Sequence, residues 1–163
     1  LFCGGGWVGY IQGLRAMVGQ RTLVLAGTLA VIRDGQGRVL LMRRSDFGYW
    51  SLPGGAIEIG QSATETLERE VREETGLEVI RATPFALYTN PRDSVTYPNG
   101  DQVQLFALTF LVEEWSGEPR ADGDESLEVA FFPTDQLPEF HPPHRQTLID
   151  VQTYLANGQF ILD

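Results

Sequence analysis

The 163 residues are 42% hydrophobic and carry 22 acidic side chains against 12 lysines and arginines, for a formal net charge of −10. That apolar share suits one domain with a sizeable core, no apolar run reaches the ~18 residues of a membrane span, and the acidic balance excludes the basic face of a nucleic-acid binder. The expected partner is a small molecule, with no nucleic acid and no membrane, and a phosphate ligand must arrive with cations.

The single cysteine, Cys3, rules out an intrachain disulfide framework and fits a reducing compartment, so a cytoplasmic location is expected. Residues 1–6, LFCGGG, are set aside from the fold. Trp7, Tyr10, Ile11, Leu14 and Val18 recur at helical spacing, which predicts a short amphipathic helix over 7–18 ended by Gly19. Residues 1–21 are read as an N-terminal extension and 22–163 as the main domain. The apolar stripe of 7–18 packs either on its own domain or on a second copy, so a homodimer is one expected arrangement.

TLVLAGTLAVIRD (22–34) and RVLLMRR (38–44) are β-rich and flank Gly35-Gln-Gly37, a pattern that predicts a hairpin. In the following loop Pro53, Gly54 and Gly55 enforce a tight path that suits close approach to a ligand. A helix over about 63–75 is sharply bounded: Ser62 and Glu65 have the spacing of a capping box, and Gly76 is a left-handed stop. Beyond it, 77–89 and 102–115 read as strands around a polar loop at 90–101, and LEVAFFP (127–133) as another strand. Pro142-Pro143 bar a helix before His144, and Leu148, Val151 and Leu155 mark a last helix that ends near Gly158.

The helix 63–75 ends in EREVREETG (68–76). Glu73 and Glu74 sit in its last turn, where unpaired carbonyls make the helix end negative and each acid costs about 0.3–1 kcal/mol. Glu70 and Glu74 add a like-charge i,i+4 pair. At about 100° per residue, Glu70, Glu73 and Glu74 fall within an arc of roughly 100°. A divalent cation held by hard oxygen ligands reverses both penalties, and Mg²⁺ is the natural candidate. The competing explanation is a solvated ladder of Glu65, Arg69 and Glu73, with Glu68 paired to Arg72. Such a helix would gain by placing its arginines in the final turn.

Gly55 to Leu77 resembles the signature of the Nudix hydrolase family: Gly, five residues, Glu, seven residues, Arg-Glu, an aliphatic residue, any residue, Glu-Glu, any residue, Gly, aliphatic. Gly55, Arg69, Glu70, Glu73, Glu74 and Gly76 match, while Gln61 stands where the pattern has Glu. With LPGG before the box and WSGEP after it, the resemblance covers roughly residues 22–138. It implies an α/β fold, an α/β/α sandwich with a mixed β-sheet. It further implies Mg²⁺- or Mn²⁺-dependent hydrolysis of a nucleoside diphosphate linked to another group. Carried over by position, Glu70, Glu73 and Glu74 would be metal ligands together with the Gly54 carbonyl, and Arg69 would orient Glu70. Related enzymes draw a further acid or base from a later loop; among seven acids between 113 and 128, Glu125 is the preferred candidate and Glu128 the second. Gln61 cannot ionise. Either the helix acids suffice, which is preferred, or the chain is a noncatalytic Nudix-like nucleotide-binding sensor; Glu58, three residues earlier, could substitute in part.

Arginine forks suit phosphate oxygens, which makes Arg43 and Arg44 candidate substrate contacts. Trp50 and Tyr97 are candidates for stacking a base, with Phe47, Tyr49 and Tyr88 as further aromatics. His141 and His144 lack metal-ligand spacing and are read as loop residues. The substrate-reading elements of the family's coenzyme A and NADH hydrolases are absent, which leaves ADP-ribose-like and (d)NTP-like substrates.

Overall fold

β1 (Leu23–Ile32) ends in Ala30, Val31 and Ile32, all fully buried. Consecutive buried residues mark a strand covered on both faces. The structure, a computed structural model that describes residues 9–163, places β1 inside a mixed sheet. The remaining elements are α1 (Tyr10–Val18), β2 (Val39–Arg44), β3 (Trp50–Ser51), β4 (Gly54–Ala56), α2 (Ala63–Thr75), β5 (Glu78–Tyr88), β6 (Val95–Thr96), β7 (Gln102–Ser116), β8 (Ser126–Phe132), α3 (Pro142–Asn157) and β9 (Ile161–Leu162). The mixed sheet runs β4-β1-β7-β5-β9, with β6 on β7; β1 with β7 and β5 with β9 are parallel, and the other pairings antiparallel. A second, antiparallel sheet runs β3-β2-β8.

Alternation along the strands sorts the core into two layers. Leu67 and Val71 of α2 pack with Ala30, Ile32, Phe110 and Val112 on one face of the mixed sheet. Leu148 and Val151 of α3 pack with Val31, Phe85 and Leu111 on the other. The two helices thus cover opposite faces, and the α/β/α sandwich with a mixed sheet is the observed architecture.

Three local expectations change. The hairpin of 22–34 with 38–44 does not form as a ladder: β1 and β2 lie in different sheets, and an isolated bridge between Arg33, just past β1, and Val39 joins them. Asp34 closes the connecting turn by accepting the amides of Gln36 and Arg38, each at 2.9 Å. β1, apolar on both faces, instead gains strand partners on both edges. Second, Pro142 and Pro143 open α3 rather than bar it, occupying the first turn, where the missing N–H would have had no partner. Third, α1 begins at Tyr10; Cys3 and Trp7 lie outside the described residues.

α1 is docked on its own domain. Arg15 donates to the carbonyls of Gly19 (3.1 Å), Arg21 (2.6 Å) and Gln102 (2.8 Å). At the helix start, Glu58 accepts the Tyr10 amide at 3.1 Å. Glu58 is therefore engaged by α1.

Candidate active site

α2 is built by local chemistry at both ends. Ser62 accepts the Glu65 amide at 3.2 Å while Glu65 accepts the Ser62 amide at 2.8 Å, and Gly76 takes a left-handed φ of 72°. Between these caps, Thr66, Leu67, Glu70, Val71, Glu74 and Thr75 form the buried stripe. Two acids thus lie on the core-facing side of the helix. Glu70 is 2% exposed and Glu74 3%. Glu73 faces away; its side chain is 58% exposed and bound to Arg69 at 3.0 Å.

The third acid comes from elsewhere. Glu125, at the end of the β7–β8 loop, offers a carboxylate oxygen that lies with those of Glu70 and Glu74 within 4.8 Å of one another. Glu70, Glu74 and Glu125 are therefore brought together, and Glu73 is not among them. Glu128, on β8, is paired with Arg43 across the β2–β8 ladder.

Concentrating these anions out of water is costly. Burial pushes the Glu70 carboxyl up to about 7 against the opposing pull of Arg69, and Glu73 and Glu125 add to the rise. Burial and then Glu70 drive Glu74 well above the usual carboxylate range; the Gly54 amide and Arg44 oppose this. Arg69 Nη2 lies 2.8 Å from Glu70 Oε1 but out of line for a hydrogen bond, so that buried oxygen has no aligned donor. A buried carboxylate oxygen met by a single off-line cation beside two further carboxylates has the chemistry of a hard-cation site, and the three residues fit a divalent metal.

The residues around the cluster hold it in place. Gly54 donates its amide to Glu74 Oε2 at 2.8 Å. It sits at φ 152°, and a Cβ there would lie 2.1 Å from the Thr28 carbonyl oxygen, so no larger residue fits. Arg69 spends its remaining donors on Gln61 Oε1 at 3.3 Å and the Ala56 carbonyl at 3.3 Å. Gln61 also accepts the Thr66 hydroxyl at 3.2 Å. Its neutral oxygen thus does a job that needs an acceptor, not a charge.

Arg44 stands between two openings. It lines a cavity of about 190 Å³ that includes Glu74, Glu125 and Asp46. It also lines a cleft of about 70 Å³ bounded by Thr28, Gly54, Tyr49, Tyr97 and His141. Asp46 grips its guanidinium at 2.8 and 2.6 Å, and this pairing raises its pKa although burial opposes the rise. Tyr97 is half-buried in the cleft wall, 5.5 Å from the Phe47 ring. Trp50 does not reach the cleft; it packs edge-on against Phe132 at 4.7 Å beside the core. Arg43 is likewise turned to Glu128.

The reading of 141–144 as loop missed two residues that face the cleft. Tyr49 and His141 stack at 5.0 Å, and the half-buried His144 accepts the Leu52 amide on Nδ1 at 3.2 Å. Burial, followed by Arg44, lowers His141 to about 4, and burial and His141 hold His144 well below its usual value, so both rings are neutral. The signal available in the sequence was Pro142-Pro143: a helix started by that pair fixes the histidines at its first turn, where His141 donates its amide to the Trp50 carbonyl at 2.8 Å.

A family model described as "NUDIX domain" matches residues 24–151. A curated relative from Methanocaldococcus jannaschii, named ADP-ribose pyrophosphatase, is 32% identical over 137 residues, covering 79% of this chain and 76% of its own. A nucleoside triphosphatase, NudI, from Enterobacter sp. is 32% identical over 100 residues, covering 58% of this chain and 67% of its own. Among solved structures, a MutT NUDIX hydrolase from Burkholderia pseudomallei superposes with a TM-score of 0.66 at 29% identity, covering 79% of this chain and 98% of that one.

Proposed function

The chain belongs to the Nudix family, and from that premise we propose that it is a metal-dependent pyrophosphohydrolase cleaving a nucleoside diphosphate linked to another group. The observation that carries this reading is the buried cluster of Glu70, Glu74 and Glu125 at the edge of an arginine- and aromatic-lined cleft. Glu70, Glu74 and Glu125, together with the carbonyl of Gly54, whose amide already contacts Glu74, would hold Mg²⁺ or Mn²⁺. Such a cation neutralises a diphosphate and lowers the pKa of bound water toward neutrality.

The chain's own residues divide the remaining work. Arg69 holds Glu70 toward the cluster, and Gln61 and Glu73 hold Arg69. A cluster carboxylate oxygen not spent on the cation accepts the proton of the attacking water, and the second oxygen of Glu125, on a loop rather than inside α2, is assigned that role. Arg44 faces the phosphates from the rim shared by the two openings. The aromatic wall of Tyr49, Tyr97 and His141 takes the flat base. ADP-ribose-like and (d)NTP-like substrates both suit this division, in keeping with the names of the two relatives. The sensor alternative rested on Gln61, whose oxygen serves Arg69 and leaves the three cluster acids intact.

Incubation with ADP-ribose, nucleoside triphosphates, dinucleoside polyphosphates and CDP-alcohols in Mg²⁺ or Mn²⁺, followed by chromatographic separation, tests the proposal. Cleavage at the diphosphate with release of a nucleoside monophosphate is expected. Tight binding of these compounds without turnover of any would refute it.

A further inference from the structure

We propose that Ser126 and Asp122 are positioning residues that fix Glu125 in the acidic cluster by tying its loop to the last turn of α2. The inference rests on the reading of that cluster as a metal site.

The last carbonyls of a helix have no partners within it. In α2 the loop leading to β8 supplies two. The Arg120 amide donates to the Thr75 carbonyl at 2.8 Å, and the Ser126 hydroxyl donates to the Glu74 carbonyl at 2.7 Å. Glu74 is a member of the cluster and Ser126 directly follows another, so this one bond spans the backbones of two of the three acids. Ser126 is fully buried. Water therefore cannot take over the bond when the hydroxyl is removed.

Asp122 shapes the loop on which Glu125 stands. Its Oδ1 accepts the Ser126 amide at 2.9 Å and the Asp124 amide at 3.0 Å, while its own amide donates to Ser126 Oγ at 3.1 Å. From the other side, the Ser45 amide donates to the Glu125 carbonyl at 3.0 Å. The β2–β8 register steps from Arg43 opposite Glu128 to Arg44 opposite Ser126, so Leu127 is extra on β8. A bulge of this kind re-aims the neighbouring side chain. These contacts pick out Glu125 from the several acids of its loop: its backbone is clamped on both sides, and the clamp is anchored on the helix that carries Glu70 and Glu74.

Residues that orient metal ligands without touching the metal change its affinity by about 10–100-fold when removed. Calorimetric titration of Mn²⁺ onto the metal-free full chain reads this directly. Ser126→Ala and Asp122→Ala are expected to weaken Mn²⁺ binding by about tenfold or more, as is Glu125→Gln. Adding Ser126→Ala to Glu125→Gln should cost less than about twofold more, because the clamp then has no ligand to aim. Wild-type affinity in both Ser126→Ala and Asp122→Ala, or an equal loss in the Glu125→Gln background, would overturn the proposal. Asp122 lies at the exposed end of the clamp, so Asp122→Ala supplies the same cycle if Ser126→Ala does not fold. Failure of the wild-type chain to bind Mn²⁺ would instead reject the metal reading on which the proposal stands.

Discussion

Gln61 Oε1 accepts Nε of Arg69 at 3.3 Å, and the same guanidinium reaches Glu70 and Glu73. The amide at the departing position of the signature is thus part of the cradle that aims Glu70. A negative acceptor in its place would keep the bond and strengthen it, whereas an apolar one would release Arg69. Gln61→Glu is expected to keep kcat/KM within about threefold of wild type, and Gln61→Leu to lower it by about tenfold or more. Steady-state kinetics in saturating Mg²⁺ check both. Full activity in Gln61→Leu would show that Arg69 needs no acceptor there.

The buried acids link stability to pH. Burial pushes Glu70 up to about 7 in the folded chain against an ordinary 4.5, and burial with Glu70 beside it holds Glu74 well above the same ordinary value. The folded state therefore keeps protons that the unfolded chain has released, and stability falls as pH rises above about 4.5. The lowered pKa values of His141 and His144 act oppositely, costing stability as pH falls below 6.5. Between pH 6.5 and 8 the acid contribution dominates, so the Tm of the metal-free protein should drop across that window, and the rise in Tm produced by Mg²⁺ should grow. Glu74→Gln removes a buried titratable carboxyl while keeping an acceptor for the Gly54 amide. Its metal-free Tm at pH 8 should exceed wild type by ~2–4 °C, equivalent to about 1 kcal/mol, with the response to Mg²⁺ lost. A metal-free Tm that climbs from pH 6.5 to 8 would contradict this assignment.

The aromatic candidates separate by where they point. Tyr97 lines the cleft, while Trp50 packs on Phe132. Tyr97→Ala is expected to raise KM by several-fold to about tenfold with little change in kcat, the loss of one stacking partner. Trp50→Phe should lower Tm and leave KM alone. Kinetics and thermal melts on the two variants decide this; a KM effect confined to Trp50→Phe would reverse the assignment.

What the sequence made legible, and what it did not, follows the range of the interactions. α2 was readable because each of its end signals, Ser62 with Glu65 at the start and Gly76 with Arg72 at the stop, acts within a single turn. The β1–β2 pairing was misread because strand partners are chosen by distant segments: β1 is flanked by β4 and β7, and nothing in 22–44 records that. The helix acids were treated as equivalent because an ideal arc holds all three. The Leu67–Val71 stripe carries the missing signal, since the face it buries includes Glu70 and Glu74 and leaves Glu73 outside. Glu125 was preferred in the sequence among seven acids between 113 and 128, with Glu128 second, but no contact there decided between them; the bond from Ser126 to the Glu74 carbonyl, 52 residues away, ties that loop to the cluster.

Whether Glu70, Glu74 and Glu125, rather than the three helix acids, hold the catalytic cation is decided by Mn²⁺ titration of Glu73→Gln beside Glu74→Gln and Glu125→Gln. Glu74→Gln and Glu125→Gln are each expected to lose Mn²⁺ affinity by about tenfold or more, while Glu73→Gln stays near wild type. Loss of affinity in Glu73→Gln with wild-type binding in Glu125→Gln would contradict that ligand set.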